Sequence, residues 1–275
     1  MNFTNPDAAI LKRKKLFIFD MDGTIYLGDI PLDRATDFMT HLHENGHKIL
    51  FLTNNASHTT EFYMDKLSRL GFNPLENEIE IMTSGEITIE FLTRYRAGKS
   101  VYVLGTDELV ENFRKSGISV VDDDAESADI VVTSIVLSLT QEKLDTACRF
   151  VNGGAEYFST HPDMQCPTDT GFIPDSGAIA KMVTEATGVT PTFFGKPYRE
   201  TMERIIKATG ISTDDMCIFG DRLSTDIALG KNFGATAVLV LTGEAQLGDV
   251  EVADETEKPD FVFNSIADAD ELLFG

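Results

Sequence analysis

Apolar runs and polar breaks alternate along this chain with a regular beat. Leu16-Phe17-Ile18-Phe19 is a short unbroken apolar run, rich in β-favouring residues, that ends abruptly in Asp20-Met21-Asp22-Gly23-Thr24. A run of that length bounded by a turn signal predicts a strand buried on both faces, as in a parallel sheet. Residues 33–45 instead carry apolar side chains at helical spacing (Ala35, Phe38, Met39, Leu42) and stop at Gly46, a good C-terminal signal. Lys48 to Thr53 predicts a second buried strand running into Asn54-Asn55, and residues 59–70 a helix closed by Gly71. Strand, helix, strand, helix implies right-handed crossovers and a parallel sheet.

From about Ile81 the rhythm continues in different material. Helices are expected over 84–95, from the Thr106-Asp107-Glu108 cap to Gly117, and over 140–151; strands are expected over 101–104, 130–137 and 155–160. That is a second α/β unit of about a hundred residues, an ordinary domain size. His161-Pro162-Asp163-Met164-Gln165-Cys166-Pro167 is too rich in proline to predict regular structure. A helix over 176–187 follows. A strand over 191–194 then runs into Gly195-Lys196-Pro197, a helix covers 199–208, and a strand over 216–219 runs into Gly220-Asp221, with Asp226 five residues on. A helix to 232, strands over 235–241 and 261–263, and a helix over 266–274 complete the pattern. The acids between 244 and 257 read as a solvated loop.

A chain of 275 residues has room for one large or two ordinary domains. The net charge of −22 would repel a nucleic-acid backbone and argues against such a partner. It leaves open a small phosphorylated molecule whose charge a cation offsets. Three cysteines without Cys-x-x-Cys spacing predict neither a disulfide framework nor a zinc knuckle, and fit a reducing cytoplasm. No apolar run approaches the ~18 residues that cross a membrane, so no membrane partner is expected. Lys12-Arg13-Lys14-Lys15 is followed by only four apolar residues before Asp20, far short of a signal peptide.

Four segments share one grammar: a strand, then a polar cluster at its carboxyl end. They are Asp20-x-Asp22-Gly23-Thr24, Thr53-Asn54-Asn55, Gly195-Lys196-Pro197 and Gly220-Asp221 with Asp226. In a parallel sheet all carboxyl ends lie along one edge, so these clusters are expected to meet. Oxygen ligands without His or Cys select a hard cation, and Mg²⁺ takes one or two carboxylates plus waters and a phosphate. A cation, a lysine and backbone N–H donors around one point suit a transferring phosphoryl group. A carboxylate is itself a competent phosphoryl acceptor.

This set resembles the haloacid-dehalogenase superfamily of phosphohydrolases, whose motifs read Asp-x-Asp-Gly-Thr, Ser/Thr, Lys and Gly-Asp-x4-Asp. The run Leu-Thr-Asn-Asn, the middle insert, Gly-Phe-Ile-Pro-Asp-Ser-Gly-Ala-Ile-Ala and Phe-Gly-Lys-Pro are similar to its NagD-like, para-nitrophenylphosphatase branch. The resemblance implies an α/β fold with a Rossmann-like three-layer core on a parallel sheet at 1–80 and 181–275. A smaller inserted α/β cap at 81–180 would set substrate specificity. Asp175-Ser176 departs from the small residues expected near the cap hinge.

The resemblance also implies roles. Asp20 resembles the nucleophile, and Asp22 the group that protonates the leaving alcohol and then deprotonates water. Thr53, Asn54, Asn55 and Gly23 would bind phosphoryl oxygens, and Lys196 would offset charge. Asp221 would hold Mg²⁺ together with the Asp20 carboxylate and the Asp22 carbonyl, while Asp226 would orient a metal-bound water or Lys196. Asp22 has to hold a proton, so its pKa is expected to be raised by the neighbouring acid. His161 and Asp163, on the return loop of the insert, are the candidate readers of the substrate. Relatives in this branch are often dimers, so a homodimer is an open expectation.

The remaining candidates read as ordinary. His41, His43, His47 and His58 lack metal-ligand spacing, and nothing beside Cys166 would depress its pKa. A Mg²⁺-dependent phosphatase acting on a small organic phosphomonoester through an aspartyl-phosphate on Asp20 is the leading function. A receiver-like signalling domain uses similar residues as a switch, but in about half this length. A catalytically silent binding protein is the other alternative, against which the intact Asp20, Asp22, Lys196 and Asp221 argue.

Overall fold

A computed structural model describes residues 7–72, 79–168 and 171–275. Its contacts divide the chain into two units. One runs up to Thr53, from Glu61 to Met82 and from Met202 onward; the other comprises Asn54–Thr60 and Thr83–Thr201.

The first unit is built on a six-stranded sheet in the order Phe261–Phe263, Thr236–Val240, Met216–Gly220, Leu16–Phe19, Lys48–Thr53, Ile79–Thr83. Leu16–Phe19 is buried at every position and pairs in parallel on both sides, with Phe19 opposite Phe219 and Phe51. Its composition dictates that place, because only an interior strand hides both faces of an unbroken apolar run. Period-two alternation puts Phe17 and Phe19 on one face, where they cluster with Phe38, Leu42, Tyr63, Leu67, Ile266 and Leu273 from the helices Ala35–Glu44, Thr60–Arg69 and Ile266–Phe274. Phe19 and Phe219 have ring centroids 4.9 Å apart, and Phe38 stands edge-on to Phe19 at 5.9 Å. Each such pair adds about 0.5–1.5 kcal/mol beyond its buried area. Ala237 and Leu239 pack instead with Ile227, Ala245 and Val250 on the other face. Helices on both faces make three layers.

The second unit holds a five-stranded parallel sheet ordered Thr192–Phe193, Glu156–Ser159, Ile130–Thr133, Ser100–Leu104, Ser119–Val121. Its helices Ser84–Tyr95, Asp107–Lys115, Gln141–Asn152 and Ser176–Thr187 each start at a side-chain cap: Thr83, Thr106, Thr140 and Asp175 accept a backbone N–H. Gly188 closes the last of them in the left-handed region.

Three expectations give way. The proline-rich return loop contains a hairpin, Gln165–Thr168 against Gly171–Pro174. A two-stranded ribbon has only edge strands, so Pro167 can sit where no N–H is needed. The acidic stretch after Glu244 contains a helix, Leu247–Val252, started by a reciprocal cap in which the Asp249 carboxylate accepts the Gln246 N–H at 2.8 Å. Ile79–Thr83 and the ribbon Tyr26–Leu27/Ile30–Pro31 are strands the hydrophobic pattern alone does not mark. Among the described residues, no helix is long and apolar enough to cross a membrane.

Candidate active site

Register builds the acidic centre. Because Phe19 aligns with Phe219, the residues just beyond each strand, Asp20 and Gly220-Asp221, leave the sheet side by side. The Asp20 N–H donates to the Phe219 carbonyl at 2.8 Å, continuing the ladder by one residue. Past Asp221 the chain makes one wide turn, Leu223–Ile227, which brings Asp226 back. Wide turns of this kind are frequent at functional sites. Carboxylate oxygens of Asp20, Asp221 and Asp226 all lie within 4.8 Å of one another. Asp221 and Asp226 are buried; Asp20 is half-buried.

The acids are held by main-chain donors. Asp221 Oδ2 accepts the Glu244 N–H at 2.7 Å, and its carbonyl accepts the Ala245 N–H at 3.0 Å. Asp226 Oδ2 accepts the Arg222 N–H at 3.3 Å. Two glycines leave the room: a Cβ on Gly23 would stand 2.6 Å from Asp221 Oδ2, and one on Gly243 would stand 2.5 Å from Asp221 Cγ. Gly23 also sits at φ +84, which disfavours any other residue. Its carbonyl accepts the Thr242 hydroxyl at 2.6 Å. The segment 242–245 therefore belongs to the site, although the pattern reading placed its acidic residues in a solvated loop.

Asp22 is not part of the three-acid group. The residue keeps an exposed side, yet protein packed around its carboxyl raises the pKa above the ordinary carboxylate value, while Lys66 and Arg222 pull it down. The direction is the expected one; the cause is lost hydration rather than a neighbouring acid. Lys66 lies over the Tyr26 ring, 4.1 Å from its centroid.

Asn54, Asn55, His161, Asp163 and Lys196 belong to the second unit and gather there. The Asn54 side chain grips Lys196 at both backbone ends, accepting its N–H at 2.7 Å and donating to its carbonyl at 3.1 Å. The same amide donates to Asp163 at 3.2 Å. Asn55 Oδ1 accepts from the Ser57 N–H and hydroxyl, at 2.9 and 2.5 Å, and so shapes its own turn. Lys196 is 2% exposed. His161 is fully buried, with Nδ1 2.9 Å from Thr160 Oγ1 and Nε2 2.9 Å from Asp175 Oδ1. The histidine expected from the sequence to read substrate thus has both ring nitrogens engaged inside the unit. The Asp175 that departs from the family pattern is the partner of His161.

The donor set of the first unit is all oxygen and strongly acidic, which fits a hard divalent cation. A three-layer parallel core with such a centre, joined to a second α/β unit, defines a haloacid-dehalogenase-like hydrolase with a cap domain. The chain belongs to that family, in its NagD-like branch: the family description "Haloacid dehalogenase-like hydrolase" matches residues 17–119 and "HAD-hydrolase-like" matches residues 193–269. A 5′-nucleotidase of Bacillus subtilis is 32% identical over 94% of this chain and 98% of its own length. The solved structure of a 4-nitrophenylphosphatase from Thermotoga maritima is 37% identical with a TM-score of 0.88, covering 96% of this chain and 99% of that one. A glycerol phosphate phosphatase from Mycobacterium tuberculosis, solved in complex with magnesium, is 25% identical with a TM-score of 0.85, covering 96% of this chain and 79% of that one.

Proposed function

We propose that this enzyme hydrolyses small organic phosphomonoesters through an aspartyl-phosphate on Asp20. The observation that carries this reading is the Asp20–Asp221–Asp226 group at the carboxyl edge of the core sheet. Asp20 and Asp221, with the Asp22 carbonyl, would hold Mg²⁺, which when bound offsets negative charge on the phosphoryl oxygens.

In the first step an Asp20 carboxylate oxygen attacks phosphorus, the phosphorus–ester oxygen bond breaks, and the leaving alkoxide takes the Asp22 proton. A raised Asp22 pKa keeps that proton available nearer neutrality. In the second step the Asp22 carboxylate takes a proton from water. The resulting hydroxide attacks phosphorus, the acyl-phosphate bond breaks, and Asp20 is restored with release of inorganic phosphate. Thr53 and the backbone at Gly23 bind phosphoryl oxygens, and Lys196, its backbone gripped by Asn54, balances the charge. Asn54 directly follows Thr53 in the chain, so the element that ends in Thr53 also leads to the residue that fixes Lys196.

Residues 81–180 would act as the cap that reads the rest of the substrate, with half-buried Asp163 as its candidate contact. Nucleotides, sugar phosphates and glycerol phosphate all remain within the class. The reading goes with a cytoplasmic enzyme, in a compartment where thiols stay reduced. The test is release of phosphate from para-nitrophenyl phosphate and from a panel of phosphometabolites. Wild type should turn over with Mg²⁺ and Asp20→Asn should not. More than a few percent activity in Asp20→Asn would rule out the aspartyl-phosphate route.

A further inference from the structure

The second unit contains a buried titratable pair that the hydrolysis scheme leaves unused, and its protons can be counted. Ser84 Oγ spends its one hydrogen on the Asn54 carbonyl at 2.5 Å, and Thr160 Oγ1 spends its own on Ser134 Oγ at 2.9 Å. Both hydroxyls therefore only accept at His161 Nδ1, from 3.3 and 2.9 Å, so Nδ1 carries a hydrogen. On the other side of the ring, Asp175 Oδ1 lies 2.9 Å from Nε2 and also accepts the Ser176 N–H at 2.7 Å. Accepting a main-chain N–H favours the ionised carboxylate, which cannot donate, so Nε2 carries a hydrogen too. A ring protonated on both nitrogens is a cation. Burial demands a counter-ion for it, and Asp175, 6% exposed, supplies one.

His161 also lies against the segment that carries Lys196, through its Cβ. A Cβ on Gly195 would stand 3.1 Å from the His161 Cβ, 3.1 Å from the Thr160 carbonyl oxygen and 2.6 Å from Asn54 Oδ1. Gly195 itself sits at φ +72. Ser84, which faces His161 Nδ1, bonds the carbonyl of the same Asn54 that grips Lys196 at both backbone ends. Charged residues on the packed segments are Asp163, Asp175 and Lys196, with Glu86 two residues along the helix from Ser84 and Lys181 and Glu185 further along the helix that Asp175 caps.

We infer that His161 is a buried imidazolium, paired with Asp175, that positions Lys196 by walling the Gly195 turn and fixing Asn54 through Ser84. His161 is on this reading a positioning residue, and the inference rests on the proposed role of Lys196 in charge balance. The first test is ¹⁵N NMR of histidine-labelled protein at pH 8, where an ordinary imidazole with pKa ~6.5 is neutral. His161→Asn assigns the signal. Two protonated ring nitrogens are expected; a neutral ring, or a metal-bound one held by His161, Asp163 and Asp175, would overturn the inference.

The second test is a double-mutant cycle on para-nitrophenyl phosphate. His161→Asn should lower kcat/KM roughly 10–100-fold in the wild-type background, the scale of a ~1 Å misplacement. In a Lys196→Ala background the further loss should be less than about twofold, because the group acted upon is gone. Equal losses in both backgrounds mark a merely structural histidine and refute positioning. Asp175→Asn, which keeps an acceptor at the helix cap, is the substitute if His161→Asn does not fold, with the same coupling expected. Failure of the wild type to turn over any phosphomonoester would sink the phosphatase reading and the positioning role together, while the NMR result still decides the charge state.

Discussion

Gly243→Ala isolates how a glycine without a catalytic group supports the acidic centre. Its added Cβ would stand 2.5 Å from Asp221 Cγ and 2.6 Å from Asp221 Cβ, where side-chain carbons essentially never approach within 3.0 Å. The carboxylate cannot retreat toward Gly23, because that backbone closes the opposite side, an ideal Cβ there standing 2.6 Å from Oδ2. Asp221 must rotate, and rotation breaks the 2.7 Å bond from the Glu244 N–H to Oδ2. A hydrogen bond to a charged group is worth about 1.5–3 kcal/mol. At about 1.4 kcal/mol per factor of ten, Mg²⁺ binding should weaken roughly 10–100-fold. Calorimetric titration of the variant with Mg²⁺, beside the half-saturating Mg²⁺ concentration for turnover, measures this. Gly248→Ala, where a Cβ meets nothing within 4 Å, is the control. Unchanged Mg²⁺ affinity in Gly243→Ala would show that Asp221 is not a metal ligand or that the loop yields freely.

Asp22→Asn should cost about 10²–10⁴-fold in kcat as the general acid–base group is lost. The same change should raise resistance to denaturant at neutral pH. The folded-state pKa of Asp22 is raised, so its destabilising effect is present when it ionises and disappears below the ordinary carboxylate range near pH ~4. A variant equally or less stable than wild type at pH 7 would contradict the cause assigned to that shift. Chelation should abolish turnover and Mg²⁺ restore it, whereas Ca²⁺, which prefers more oxygens at longer distances, should support it poorly; equal rates with both ions would remove the site as drawn. Arg34→Ala should destabilise the core by about 2 kcal/mol in denaturant titrations. Asp270 is fully buried and ion-paired with Arg34, Nη2 to Oδ2 2.7 Å; the loss falls short of a fully buried pair's because the guanidinium is part-exposed and His41 remains at 2.7 Å. No change in midpoint would show that His41 alone satisfies Asp270.

How far the sequence could be read follows from where each function resides. Leu16–Phe19, Lys48–Thr53 and Ser176–Thr187 were legible to the residue, because an unbroken apolar run or a capped, glycine-closed helix leaves one burial pattern open. Asp20, Asp221 and Asp226 were legible as a convergent set, because parallel strands put their carboxyl ends on one edge and the acids follow two of those strands. Ile79–Thr83 was not, since it abuts the helix Ser84–Tyr95 with no connecting residue between them. The burial of His161 was not legible, because a loop histidine beside proline looks exposed until Asp175, fourteen residues on, is seen to bond its ring. The segment 242–245 was invisible for a deeper reason. Its contribution is a Cβ that is absent at Gly243 and an N–H at Glu244, and every non-proline residue has that N–H. Side-chain chemistry announces itself in a sequence, whereas main-chain chemistry depends on where the backbone is placed. A phosphatase centre holding several negative charges leans on such donors. The Gly243-Glu244 pair after the strand Thr236–Val240 makes that contribution with no side chain that would reveal it. In an ordinary solvated loop the glycine would be dispensable, and here it is required by Asp221.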